Sequence, residues 1–183
     1  RRWAFARLHD QQLPVVLLFL THRRTVHRLL TTVHRRTVFV RITTLFHRFG
    51  PYHMARLRAA ARVCELTAIE LSAETSEYAW EKVSGATGFE RVTLFPSADS
   101  RVVAADEVCL RVRNALDAAR PDAVAIPGWS DRAAFVALAW CVEKKIPAIV
   151  MSESTAHDEP RVWWKEFVKR RVVRLFSTAL VGG

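Results

Sequence analysis

The sequence predicts an α/β fold: a doubly wound, mostly parallel sheet in three αβα layers. Three observations predict it. Short continuous runs of Val, Ile, Leu and Ala recur along the chain, the signature of strands covered on both faces. Between them lie segments with apolar residues at helical spacing and cations opposite. From Val38 onward the two kinds alternate, which is the pattern of βαβ units and of parallel pairing.

The elements follow in order. Val38 to Phe46 is a β-branched, apolar first strand, closed by Gly50-Pro51. Pro51 suits the first position of a helix that places Met54, Leu57, Ala61 and Cys64 on one face and Arg56, Arg58 and Arg62 on the other. Leu66–Leu71 is the second strand, and Tyr78–Phe89, with Gly85 and Gly88, is an irregular excursion. Arg91–Phe95 is the third strand. Ser100 or Asp99 is expected to cap a helix reaching Arg120, with Ala105, Val108, Val112, Leu116 and Ala119 as its stripe and Pro121 as its stop. Asp122–Ile126 is the fourth strand. Ser130 or Asp131 caps a helix running to Lys145, and Pro147–Met151 is the fifth strand. The helix Arg161–Phe176 is expected to turn Trp164, Phe167, Val168, Val172, Leu175 and Phe176 inward and Lys165, Lys169, Arg170, Arg171 and Arg174 outward. Thr178–Val181 opens a sixth strand.

Residues 1–37 stand apart. They hold four of the seven histidines, and HRRTV occurs twice, at 22–26 and 34–38. The formal net charge is +10, but residues 1–40 carry eight arginines against Asp10 alone, which leaves only +3 for the rest. The basic character therefore belongs to this leader, expected to be a disordered tail or a translation of DNA upstream of the true start, with Val40 as that start. The domain itself spans 38–183. LPVVLLFL at 13–20 falls short of the roughly 20 apolar residues of a membrane span. THRRTVHR follows it in place of a small-residue cleavage site, which argues against secretion. The three cysteines, Cys64, Cys109 and Cys141, have no metal-ligand spacing and an odd count, so they read as core filling in a reducing compartment.

In parallel α/β sheets, ligands bind outside the carboxyl ends of the strands. Three loops fall there. HRFGPYH, after the first strand, combines Gly50, which permits close backbone approach, with a helix start whose N–H groups and dipole attract phosphate; Pro51 removes one of those donors. His47, Arg48 and His53 add charge and hydrogen bonding; a plain structural turn is the competing reading. PGWS, after the fourth strand, sets Trp129 and Ser130 before a helix, where the indole either stacks on a ligand ring or wedges between helix and sheet. SESTAHDEPR, after the fifth, crowds Ser152, Glu153, Ser154, Thr155, His157 and Asp158 together, a mixture of donors and acceptors suited to a polyhydroxylated ligand, or simply a capped loop. Neither a GxGxxG nor a GxxxxGK[ST] fingerprint is present. Ser154, His157 and Asp158 share one loop without a GxSxG elbow, which argues against a hydrolase triad, and His157 with Asp158 lacks the further ligands of a metal site.

HRFGPYHMARLRAAA, PDAVAIPGWSDRAAFVALAWC and MSESTAHDEPRVWWKEFVKRRVVRLFSTALVGG together resemble the N-terminal half of bacterial family 4 glycosyltransferases. These are retaining enzymes of the GT-B architecture, with two Rossmann-like domains facing across a cleft. The resemblance covers roughly Val40 to Gly183. It implies a domain that mainly holds the acceptor, a glycan or a lipid-linked molecule. It further implies that His47, Gly50, Pro51, His53, Trp129 and Ser130 bind donor diphosphate or acceptor. His157 and Asp158 would be the catalytic residues near the transferring sugar, flanked by Glu153 and Ser154. The nucleotide sugar would be a substrate; no cofactor or metal is implied. The family's donor-binding second domain has no counterpart here, so the chain is expected to be inactive alone. Such chemistry needs no side-chain nucleophile and rests on positioning and on electrostatic stabilisation of the leaving phosphate.

Two other readings stand beside this one. A nucleotide-sugar epimerase shares the two-domain architecture. A basic module for nucleic acid or anionic membrane would use the leader and the cationic face of the last helix. Trp163 and Trp164 suit a membrane interface; nucleic acid is the less expected partner. The expected location is the cytoplasm, with peripheral contact at the inner face of the membrane.

Overall fold

The computed structural model describes residues 39–73, 88–129, 131–152 and 163–181. The elements are β1 (Arg41–Phe46), α1 (Pro51–Ala60), β2 (Glu65–Ser72), β3 (Glu90–Phe95), α2 (Ala105–Ala119), β4 (Ala123–Pro127), α3 (Arg132–Lys144), β5 (Ala148–Ser152), α4 (Trp163–Val173) and β6 (Thr178–Val181). The six strands form one sheet in the order β3-β2-β1-β4-β5-β6. Every pairing is parallel, from Ile42 beside Leu66 and Ala123 at the centre to Ile149 beside Thr178 at the edge. This is the doubly wound α/β fold the alternation predicts.

Strand alternation divides the core in two. On one face, Leu45, Ile69, Leu71, Val124, Ile126, Ala148 and Val150 pack against Val108, Val112 and Leu116 of α2 and Ala134, Ala137 and Leu138 of α3. On the other, Ile42, Leu66 and Ala68 pack against Met54 and Leu57 of α1. Neighbouring positions on one strand thus serve opposite layers, and the strands read as unbroken apolar runs for that reason. Trp140 joins the two helices of the first layer: its indole Nε1 donates to Asp117 Oδ1 at 3.1 Å.

Several boundaries differ from the sequence reading. The first strand begins at Arg41. Cys64 lies beyond the end of α1, in the turn leading to β2. Neither Asp99 nor Ser100 caps α2; its N-cap is Ala104, without a side-chain hydrogen bond. Asp99 instead turns back on Arg101, and Ser100 donates its backbone N–H to Ser72 Oγ at 2.8 Å. Ala105 is exposed, so the α2 stripe begins at Val108. Asp131 does cap α3, accepting from the N–H groups of Ala133 and Ala134. The largest departure is α4. Phe176 is buried and Val172 half-buried, but Trp164, Phe167, Val168 and Leu175 are exposed rather than inward. Helical spacing names an apolar stripe without saying that a neighbour covers it. The leader at 1–37 and most of the excursion at 78–89 lie outside the described residues.

Burial pushes the Cys141 thiol up to about 12 and raises that of Cys64. A raised thiol pKa favours the neutral, folded form: its contribution is complete below the unfolded value near 9 and is lost as pH climbs toward 12. Iodoacetamide at pH 8 is therefore expected to leave Cys141 unmodified in the native protein and to label it in urea. Mass mapping of the alkylated peptides checks this, and native labelling at Cys141 would show that the α2–α3 layer opens.

Candidate functional site at the carboxyl edge of the sheet

The strand order reverses between β1 and β4. From β1 the chain runs outward through β2 to β3, then crosses back to β4 and continues to β6. The loops leaving β1 and β4 therefore diverge to opposite sides, and a crevice opens between them at their carboxyl ends. The 47–50 loop and the segment that Gly128 and Trp129 open are those two loops.

The loop after β1 is fixed from below. His47 accepts the Ser72 N–H on its carbonyl at 2.9 Å. Phe49 is buried, and its N–H donates to Glu70 Oε2 at 3.2 Å. Glu70 is 1% exposed, and its other oxygen accepts from Arg91 Nε, Arg91 Nη2 and Thr93 Oγ1 at 2.9, 2.6 and 2.7 Å. The Arg91 guanidinium also lies 5.2 Å from the Phe49 ring centre. A buried carboxylate is costly unless it is paired and hydrogen-bonded. Here four donors and one cation meet that requirement, and one of the donors is the backbone of the candidate loop.

Gly50 is the N-cap of α1, and its N–H donates to His53 Nδ1 at 3.1 Å. His53 in turn stacks against Phe46, with ring centres 4.6 Å apart. These contacts narrow the anion cradle that the turn was expected to offer. Pro51 has no N–H, the Gly50 N–H is taken by His53, and that of Phe49 by Glu70. Helix geometry leaves the Tyr52 N–H among the first-turn donors that have no intrahelical acceptor. Gly50 has an ordinary extended backbone, φ −104° and ψ 170°, and an added Cβ would come no closer than 3.7 Å to His53. The local fold does not demand glycine there.

His47 sits beside this turn with its Nε2 buried and 3.7 Å from Asp99 Oδ1. Asp99 is bound side-on by Arg101, at 3.1 Å from Nε and 2.7 Å from Nη2, and this hydrogen bonding holds its carboxyl below the usual range. A hollow of about 140 Å³ adjoins them, lined by Leu71, Ser100, Arg101, Val108, Asp131 and Arg132 among others. Among the described residues no three His, Cys, Asp or Glu side chains gather as a metal site would require.

After β4, Gly128 has φ +70°, and its N–H donates to the Met151 carbonyl at 2.9 Å. This is a position where a side chain would be strained. Trp129 follows half-buried, packed against the α2–α3 layer. Of the expected site residues, the structure thus brings His47, Gly50, Pro51, His53 and Trp129 to one edge. Ser130, Glu153, Ser154, His157 and Asp158 lie outside the described residues. Sequence reasoning missed Glu70, Asp99 and Arg101. A signal for Glu70 was present: a carboxylate within LTAIEL, and Arg91 and Thr93 at alternate positions of RVTLF.

Fold and edge together define a doubly wound α/β domain with its crevice at the β1–β4 reversal. No protein-family model matches the chain, and no curated protein matches it. Among solved structures it is similar to a UDP-N-acetylglucosamine 2-epimerase from Rickettsia bellii, with TM-score 0.48 and 12% identity over 78% of this chain and 38% of that one. It is also similar to a UDP-GlcNAc 2-epimerase from Neisseria meningitidis bound to UDP-GlcNAc, with TM-score 0.46 and 12% identity over 76% of this chain and 39% of that one. The chain spans about two fifths of the length of these structures. Likeness at this level concerns the fold alone.

Proposed function

We propose that this domain is the acceptor-side half of a nucleotide-sugar-dependent enzyme, and that the β1–β4 edge is one wall of its cleft. The observation that carries the reading is that β1 and β4, whose carboxyl ends lead into His47–His53 and into Gly128 and Trp129, are paired neighbours at the strand-order reversal. The resemblance of those two segments to family 4 glycosyltransferases supplies the ligand class and gives sugar transfer as the reaction. In this reading the backbone at Gly50 and Tyr52 approaches the diphosphate, while Trp129 offers its indole to a sugar ring. The same resemblance assigns His157 and Asp158 the catalytic role beside the transferring sugar. The protein's work is to align donor and acceptor and to stabilise the charge that develops on the departing phosphate.

A second reading is an epimerase acting on a nucleotide sugar, the activity for which the similar solved structures are named. Product analysis on the gene product translated through to its stop codon separates the two. An epimerase converts UDP-GlcNAc to its C2 epimer with no acceptor added. A glycosyltransferase releases nucleoside diphosphate in proportion to acceptor glycosylated. For either enzyme, His157→Ala is expected to lower kcat by about 100-fold or more, the loss typical of a positioned acid–base or polar group. Undiminished turnover in that variant removes His157 from the site. Failure to bind or turn over any of a panel of UDP-, GDP- and ADP-sugars overturns the reading as a whole.

A further inference from the structure

We infer that the outward face of α4 docks on an anionic lipid surface. The observation is one helix that joins exposed aromatic residues to clustered cations. Trp163 is 83% exposed, Phe167 56% and Trp164 53%. At 3.6 residues per turn these three fall with Arg170 and Arg171 within about 120° of one another. Val168 and Leu175, also exposed, continue the apolar side of that face. Val172 and Phe176, on the opposite side, hold the helix to the core. The Arg171 guanidinium lies 4.8 Å from the Phe167 ring centre, so cation and aromatic form one surface rather than two patches.

Charge complementarity selects the occupant. Residues 163–174 carry a net +4, and of their cations Arg170 and Arg171 share the aromatic face at helical spacing. Residues 41–183 as a whole carry +3, so the rest of that region is slightly acidic and the basic field is local to this helix. Tryptophans beside arginines suit the headgroup layer, where the rings sit at the apolar boundary and the guanidinium groups meet lipid phosphates. Nucleic acid would also accept cations and stacked rings. It offers nothing to Val168 and Leu175, whereas acyl chains do. A helix of eleven residues lying in the interface plane need not span anything; no helix among the described residues is long and apolar enough to cross a membrane. The helix connects β5 to β6, the two strands beyond β4 on one side of the strand-order reversal. The inference does not depend on the nucleotide-sugar reading.

The test is flotation of the full 183-residue chain with vesicles of phosphatidylcholine alone or mixed with phosphatidylglycerol. Because residues 1–38 are themselves basic, the comparison is among variants of the whole chain. Trp163→Ser with Phe167→Ser removes the aromatic part, and Arg170→Glu with Arg171→Glu reverses the charge. Arg58→Glu with Arg62→Glu on α1 controls for net charge. All of these side chains face solvent, so thermal melts are expected to match the wild type. The inference predicts binding to the mixed vesicles that exceeds binding to neutral ones. It further predicts a loss of about tenfold or more in the partition coefficient for each α4 pair, and a clearly smaller loss for the α1 pair. It is overturned if the α4 pairs bind like the wild type, if the α1 pair loses as much, or if anionic lipid gives no gain. It is likewise overturned if the α4 pairs lose binding to a single-stranded oligonucleotide while keeping their vesicle binding.

Discussion

Replacing Glu70 with alanine is expected to destabilise the domain by about 3 kcal/mol, a drop in melting temperature on the order of 10 °C. The carboxylate is 1% exposed and is the common acceptor for the Phe49 N–H, Arg91 and Thr93. Removing it takes this acceptor at once from a three-quarters-buried guanidinium, the half-buried Thr93 hydroxyl and the buried Phe49 N–H. The Arg91 side chain retains some contact with water, which keeps the loss toward the lower end for a broken buried pair. Glu70→Gln keeps an acceptor oxygen and loses the charge, so its melt should fall between alanine and wild type. Hydrogen exchange adds a positional readout: the Phe49 amide should lose its protection in both variants, more in Glu70→Ala. Melts equal to wild type in both would mean that the 47–50 loop is held by its own aromatic packing and not by the carboxylate.

The fold was legible because its signals are redundant. Each buried strand serves two layers, so Val124 through Ile126 had to be apolar on both sides, while β1 meets the same demand with β-branched residues, two of them the buried Thr43 and Thr44. Loop chemistry lacks that redundancy. Asp99 looked like a helix cap because it precedes an amphipathic run, yet helix α2 starts at Ala105 and Asp99 serves Arg101 and His47. Glu70 was hidden by its surroundings, because its partners lie 21 and 23 residues away on the adjacent strand. Such partners are joined only by strand register, and register was not fixed until the sheet was. The α4 face was misassigned for a related reason. Period 3.6 shows that a stripe exists, while burial depends on what the fold lays against it. The turn at 47–53 was placed correctly, but its hydrogen-bonding capacity was overstated, since the side chain of His53 consumes the Gly50 donor.

Gly50→Val is expected to fold normally and, in the gene product translated through to its stop codon, to lower kcat/KM by about 100-fold. The two halves of that expectation come from different facts. The backbone at Gly50 is extended, a conformation comfortable for a β-branched residue, and the space where a Cβ would stand holds nothing nearer than His53 Nδ1 at 3.7 Å. Stability should therefore change by no more than about 1 kcal/mol, the scale of replacing a glycine N-cap with an apolar residue. A large functional loss with an unchanged melt must then come from what the side chain excludes. In the cleft reading that is the ligand's diphosphate, approaching a turn that still offers the Tyr52 N–H. Gly50→Ala grades the effect: a methyl should cost less than an isopropyl if the obstruction is steric. If the loss falls mainly in KM, the turn binds substrate and transition state alike; if kcat falls as well, the contact tightens as the phosphate departs. Turnover unchanged in both variants would show that no ligand passes over Gly50, and the 47–53 turn would revert to a structural corner between β1 and α1.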